Sequence, residues 1–197
     1  MNKNIIDLSK ASPGNFRVRP KWFEGIWMIF EFLFITNPLQ FSSKLRVVVL
    51  RLFGAKIAHG VIMRSRVRVR FPWNLKIGEN CWIGEGVWIS NKDLVEIGDN
   101  VVISQETFIT TGSHEVNKTM DTIVKPVIIK GGSWITSRCI ILQGVEIGVN
   151  SVITPGSVVN RSLKGNEIYG GNPVKFIKKR FEEEEKYEQK KENYICH

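Results

Sequence analysis

Three histidines are available for acid–base chemistry in this chain of 197 residues, and one is placed to use it. His114 stands in the segment TGSHE, at the start of a stretch that breaks an otherwise regular pattern. His59 lies inside the first repeat of that pattern, and His197 is the C-terminal residue. Imidazole has a reference pKa of about 6.5, so it can take a proton from a hydroxyl near neutral pH. Functional groups also tend to sit on loops held by a rigid scaffold. Cys81, Cys139 and Cys196 form no C-x-x-C pair and read as buried or free thiols in a reducing compartment. Arg64, Arg66, Arg68 and Arg70 alternate with Ser65, Val67 and Val69, which on a flat face turns a basic stripe outward. That stripe suits contact with a diphosphate or an anionic lipid, and equally a solvated face.

The pattern that His114 interrupts is a period of six. From Ile129 to Val159 apolar residues stand six apart: Ile129, Ile135, Ile141, Ile147, Ile153, Val159. Neither a helix (3.6) nor a half-buried strand (2) has that period; a β-solenoid built from short repeats does. The register starts at Ile57, Met63, Val69, continues through Ile77, Ile83, Ile89, and then Ile97, Ile103, Ile109. These fifteen repeats form five sets of three, and each longer spacing falls after a complete set. If three repeats make one coil, all insertions leave a triangular prism at one corner. The residue four places after most anchors is slim, Ser113 included, as expected for inward positions at tight turns. This reading puts Cys81 and Cys139 in the core, and Gly78, Gly84, Gly98 and Gly148 at tight corners.

The rest of the chain divides around the prism. Residues 1–54 form an arm and apolar, basic helices; 55–163 form the solenoid with its loop 111–126; 164–197 form an exit and a charged tail with a short helix. Trp22–Ile35 reads as a helix that is apolar on nearly all sides, and Phe41–Phe53 as a more amphipathic one that Gly54 stops. The first is too short to span a bilayer. The net charge is +9, yet residues 1–72 carry 13 Lys/Arg against Asp7, Glu24 and Glu31. A basic end beside aromatic residues suits an anionic membrane surface or phosphate-bearing substrates better than nucleic acid. We expect a cytoplasmic protein that touches the inner face of the cytoplasmic membrane peripherally through residues 17–53.

The segments SWITSRCIILQGVEIGVNSVITPGSVV and YGGNPVKFIKKR, with TGSHE before them, resemble the hexapeptide-repeat acyltransferases. LRLFGAKIAHGV and FPWNLKIGENCWIG look more narrowly like the acetyltransferases of colanic acid and related exopolysaccharide biosynthesis. The resemblance implies an all-β fold, a left-handed parallel β-helix of about five coils, against the usual right-handed crossover rule. It implies an acetyl-CoA-dependent O-acetyltransferase with His114 as general base, acting on a sugar or lipid-linked glycan. It implies a homotrimer with CoA held between two subunits by Trp134, Ser137, Pro155, Arg161, Pro173 and Lys178. Asn91 matches an acceptor-contacting asparagine of sugar acetyltransferases. Gln143 and Val174 depart from the usual Pro and Ala of the family's pattern.

Other readings compete. The acceptor could be a free sugar, serine or an antibiotic. A non-catalytic scaffold would need neither the histidine loop nor the GNP exit. A zinc enzyme on the same solenoid needs three converging imidazoles, and His197 makes that set hard to assemble; no metal is expected.

Overall fold

The computed structural model describes residues 6–14, 16–117 and 119–181. The isoleucine register becomes three parallel sheets wrapped around one core. The first face stacks Lys56–Ile57, Leu75–Ile77, Val95–Ile97, Val127–Ile129 and Glu146–Ile147. The second stacks Ile62–Met63, Trp82–Ile83, Val102–Ile103, Trp134–Ile135 and Val152–Ile153. The third stacks Arg68–Val69, Trp88–Ser90, Phe108–Thr110, Ile140–Ile141 and Val158–Val159. Each anchor pairs in register with the anchor one coil away, as in Ile77 with Ile97 and Ile135 with Ile153. From Met63 to Val159 the anchors are buried, each sealed isoleucine contributing about 1.5–3 kcal/mol.

The solenoid runs further than the sequence register suggested. Leu163 bridges Ile147 on the first face, and Glu167–Gly170 pairs with Val152–Ile153 on the second. An antiparallel strand, Lys175–Lys179, then closes the second sheet. Five coils are thus followed by a partial sixth, which occupies the segment expected to be an exit. The expected C-terminal helix lies, beyond Phe181, outside the described residues, as do Cys196 and His197.

Corner chemistry explains the tight winding. The third residue after each first- or second-face anchor adopts a left-handed conformation: Gly60, Arg66, Asn80, Gly86, Asn100, Glu106, Gly132, Arg138, Asn150, Gly156 and Asn166. Gly148 serves a different need, because a Cβ there would stand 2.3 Å from the backbone nitrogen of Gly165 in the next coil. Slim residues fill the inward corner slots as expected, with one correction. Ser113 is exposed, and Thr111 is buried instead with its Oγ1 accepting from the Asp93 N–H at 2.9 Å. Burial pushes the Cys81 and Cys139 thiols up, so neither is a poised nucleophile.

The N-terminal helices cover the open edge of the first coil. Helix α1 (Lys21–Phe30) continues as a wider π-type turn, Glu31–Thr36; α2 spans Ser43–Leu52. Ser42 caps α2, and Gly54 follows it with φ +97°. Outward-pointing backbone groups of all three edge strands find side-chain partners here. Arg51 Nε donates to the Ile57 carbonyl at 2.9 Å, and the Met63 N–H donates to Ser43 Oγ at 2.8 Å. Buried Arg46 donates to the Met63 carbonyl at 3.3 Å. Val69 is held twice: its N–H donates to Glu31 at 2.7 Å, and its carbonyl accepts from Trp27 Nε1 at 2.9 Å. An uncovered strand edge would otherwise template further pairing.

Candidate active site

The long insertion leaves the prism after the third face of the third coil as a hairpin. Gly112–His114 pairs antiparallel with Thr122–Val124, His114 opposite Thr122. The N-terminal arm pins this hairpin. The Ser12 N–H donates to Asp121 Oδ1 at 2.6 Å, holding that carboxyl below its usual range, and the Ser12 carbonyl accepts from the Thr122 N–H at 3.0 Å. Glu115 holds the tip turn by accepting from the Asn117 and Thr119 N–H groups at 3.0 and 3.1 Å.

His114 is exposed, and its Nδ1 lies 2.9 Å from the Met120 carbonyl oxygen. A carbonyl can only accept, so Nδ1 carries the proton in this contact. In the neutral ring the Nε2 lone pair is then free to accept a proton. One backbone carbonyl selects the tautomer that a general base requires.

A second set of residues lies at another corner. Gln105, Ser137 and Pro155 each stand two places after a second-face anchor, so they stack along the corner between the second and third faces. Ser137 Oγ donates to Gln105 Oε1 at 3.1 Å, and the stack lines a groove of about 550 Å³ with Glu106, Arg138 and Gly156. Trp134 stands beside it on the second face, half exposed, its Nε1 donating to Ser104 Oγ at 3.0 Å. With Trp82, Arg64, Ser104 and Gln105 it lines a second groove of about 460 Å³. Pro173 follows the second-face strand of the sixth coil, continuing the corner upward. Arg161 reaches toward it by donating to the Val174 carbonyl at 3.3 Å, and Lys178 lies opposite Ile168 on the second face. Of the six residues expected to hold CoA, Ser137 and Pro155 share the corner stack with Trp134 beside it, whereas Arg161 stands two places after the third-face anchor Val159 and lines a separate groove with Lys164, Tyr169 and Phe176.

Asn91 does not join either group. It is fully buried; its Oδ1 accepts from the Phe71 N–H at 2.9 Å and its Nδ2 donates to the Phe71 carbonyl at 2.7 Å. With the amide spent on one backbone, the side chain clamps the insertion corner instead of facing an acceptor. Sequence reasoning missed Ser104 and Gln105, although counting from Ile103 as from Ile135 would have placed Gln105 under Ser137. Among the described residues no three potential metal-ligating His, Cys, Asp or Glu side chains converge.

No family model matches the chain. The chain is 35% identical over 159 residues to "Putative colanic acid biosynthesis acetyltransferase WcaF" of Escherichia coli, a match covering 80% of this chain and 87% of that protein. The chain belongs to the hexapeptide-repeat acetyltransferases. It is also 36% identical over 109 residues to galactoside O-acetyltransferase of Escherichia coli, covering 53% of this chain and 54% of that one. Among solved structures it is similar to a hexapeptide-repeat acetyltransferase of Vibrio cholerae complexed with acetyl-CoA. The TM-score is 0.72 at 26% identity, covering 80% of this chain and 85% of that one. Galactoside acetyltransferase in complex with CoA gives a TM-score of 0.69 at 26% identity, over 79% and 78% of the two chains. As a member of this acetyltransferase family the protein is an enzyme, and its solenoid is the family's parallel β-helix. No helix among the described residues is long and apolar enough to cross a membrane.

Proposed function

We propose that this protein transfers the acetyl group of acetyl-CoA to a sugar hydroxyl of a polysaccharide precursor, with His114 as general base. The observation that carries the reading is the Nδ1 contact of His114 to the Met120 carbonyl, which leaves Nε2 as the acceptor on an exposed hairpin. Nε2 takes the proton of the acceptor hydroxyl as that oxygen attacks the thioester carbonyl. When the tetrahedral intermediate collapses, the carbon–sulfur bond breaks and the imidazolium returns its proton to the leaving thiolate. The products are an O-acetyl ester and CoA. Trp134, Ser137 and Pro155 are assigned to the pantetheine arm, Arg161 and Lys178 to the phosphates, and Pro173 to the adenine. Guanidinium and ammonium groups suit a phosphate-rich ligand.

In one chain His114 and the stack of Gln105, Ser137 and Pro155 stand at different corners of the prism, so a complete site takes His114 from one copy and the stack from another. The outward side chains support such an assembly. Over its first five coils the second face presents Ile62, Trp82, Val102, Trp134 and Val152, without a charge, and Lys178 enters it only on the closing strand beside Ile168. The first face instead presents Lys56, Lys76, Glu96, Ile128 and Glu146, with Lys76 and Glu96 ion-paired at 3.2 Å. An apolar face beside a polar one is the signature of a buried interface, here assigned to a homotrimer. The names of the two Escherichia coli relatives favour a glycan acceptor over serine or an antibiotic.

The test is CoA release from acetyl-CoA against soluble and lipid-linked sugars, with His114→Ala in parallel. A sugar-dependent rate that collapses in the variant supports the reading. Equal rates on the best acceptor would remove His114 as the base, and turnover confined to non-sugar acceptors would remove the glycan.

A further inference from the structure

We propose that the outer arc of α1 and of the turn that follows it is a docking surface for an anionic lipid bilayer. This segment is amphipathic in the inverse sense. Its exposed arc is Trp22, Ile26, Met28, Ile29, Phe32 and Leu33, with Trp22 67% and Phe32 72% exposed. The 3.6-residue steps of α1 place Trp22, Ile26, Met28 and Ile29 on one side together with Lys21 and Gly25, and Phe32 and Leu33 follow on the wider turn. Both carboxylates of the segment point the other way. Glu24 is buried and ion-paired with Arg17 at 3.2 Å, although without a well-aligned hydrogen bond. Glu31 accepts from the Val69 N–H. A surface helix in water turns its acids outward; this one turns Glu31 onto the strand edge and Glu24 toward Arg17, and offers its surroundings an apolar arc whose one charge is Lys21 in the first turn.

The charge around the arc decides the occupant. Between residues 8 and 72 the only acids are Glu24 and Glu31, both turned inward, whereas Lys21, Lys44 and Arg64 are exposed. Beside the arc, α2 exposes Leu45, Val48 and Leu52. Apolar side chains inside a basic collar match the hydrocarbon boundary and headgroups of an anionic leaflet. Two copies packed through this same face would set collar against collar, like charge on like. Because α2 lies against the first- and second-face strands of the first coil, and the turn against the third, the surface closes one end of the prism. It uses none of the residues assigned to acetyl transfer, so its failure would leave that assignment standing.

The experiment is co-sedimentation of the full chain with vesicles of phosphatidylcholine alone or mixed with phosphatidylglycerol. Wild type is compared with Ile29→Ser/Phe32→Ser and with Lys21→Gln/Lys44→Gln, each checked for folding by circular dichroism. We expect wild type to pellet with the anionic vesicles and the apolar variant to stay in solution. The charge variant should lose about fivefold in partitioning per lysine removed. Absence of vesicle binding in folded wild type overturns the proposal, as does equal binding to neutral and anionic vesicles. So does a drop in molecular mass of the apolar variant in vesicle-free buffer, which would assign the arc to a second copy.

Discussion

Two corners of the same prism differ in winding, and on the proposed function that difference divides binding from chemistry. The corner between the second and third faces is wound without insertion, so Gln105, Ser137 and Pro155 stack at one coil height apiece and form a track. The corner between the third and first faces is broken three times, and the longest break becomes the hairpin that carries His114. Periodicity places identical positions one above another, which suits an extended ligand. Interruption frees a segment from the pitch of the coil, which lets one side chain be held by its own turn, here the Met120 carbonyl.

The sharpest way to break this division is to remove the imidazole. His114→Ala is expected to cut turnover by about 10²–10⁴-fold. Its thermal midpoint should stay close to wild type, since the ring is exposed; a large fall in the midpoint would make the residue structural. The winding is tested next, at Gly148→Val. A side chain there meets the backbone of Gly165 in the next coil. The expected loss is about 3 kcal/mol in denaturant unfolding, against near-neutral behaviour for Gly25→Ala, where nothing lies within 4 Å.

Asn91 separates clamp from acceptor contact. Asn91→Ala should cost about 2 kcal/mol of stability, because the Phe71 N–H and carbonyl are left buried without partners. At a temperature where the variant is folded, its KM for the acceptor should match wild type; a selective rise in KM would return Asn91 to the acceptor site. The smallest effect is expected at Glu31, whose carboxyl burial pushes above its ordinary value. A raised folded-state pKa means the native protein holds this proton more tightly than the unfolded chain. Its contribution to stability is therefore greatest below the unfolded value and is lost as pH rises through the folded one. Glu31→Gln, which keeps an oxygen for the Val69 N–H, should raise the midpoint slightly at neutral pH, with the gain disappearing under acid. A midpoint difference that grows on acidification would contradict this sign.

What could be read from the residues follows the same division. The anchors from Ile57 to Val159 were legible because a strict period survives any surface substitution. Counting failed where the chain leaves the pitch. Ser113 and Asn91 occupy positions that in an unbroken coil would face inward and outward respectively, and insertions at that corner reverse both. The sixth coil was hidden because Leu163 follows Val159 by four residues rather than six. The left-handed corner residues were half visible: Asn80, Asn100 and Asn150 are types that tolerate positive φ, whereas Arg66, Glu106 and Arg138 give no such sign. The tautomer of His114 was not legible at all, since it depends on a backbone carbonyl six residues away. The inward turn of Glu31 was equally hidden, because it answers the edge of a strand far along the chain.

The most direct test of the account is complementation between two inactive forms, His114→Ala and a track variant, Ser137→Trp, which fills the groove beside Pro155. If each site takes His114 from one copy and the track from its neighbour, equal mixing of the two by co-refolding pairs intact halves in about a quarter of the sites of a trimer. We predict recovery to about that fraction of wild-type CoA release. Mixed oligomers that stay as inactive as their parents would show that both halves act within a single chain, and the two-corner account would be wrong.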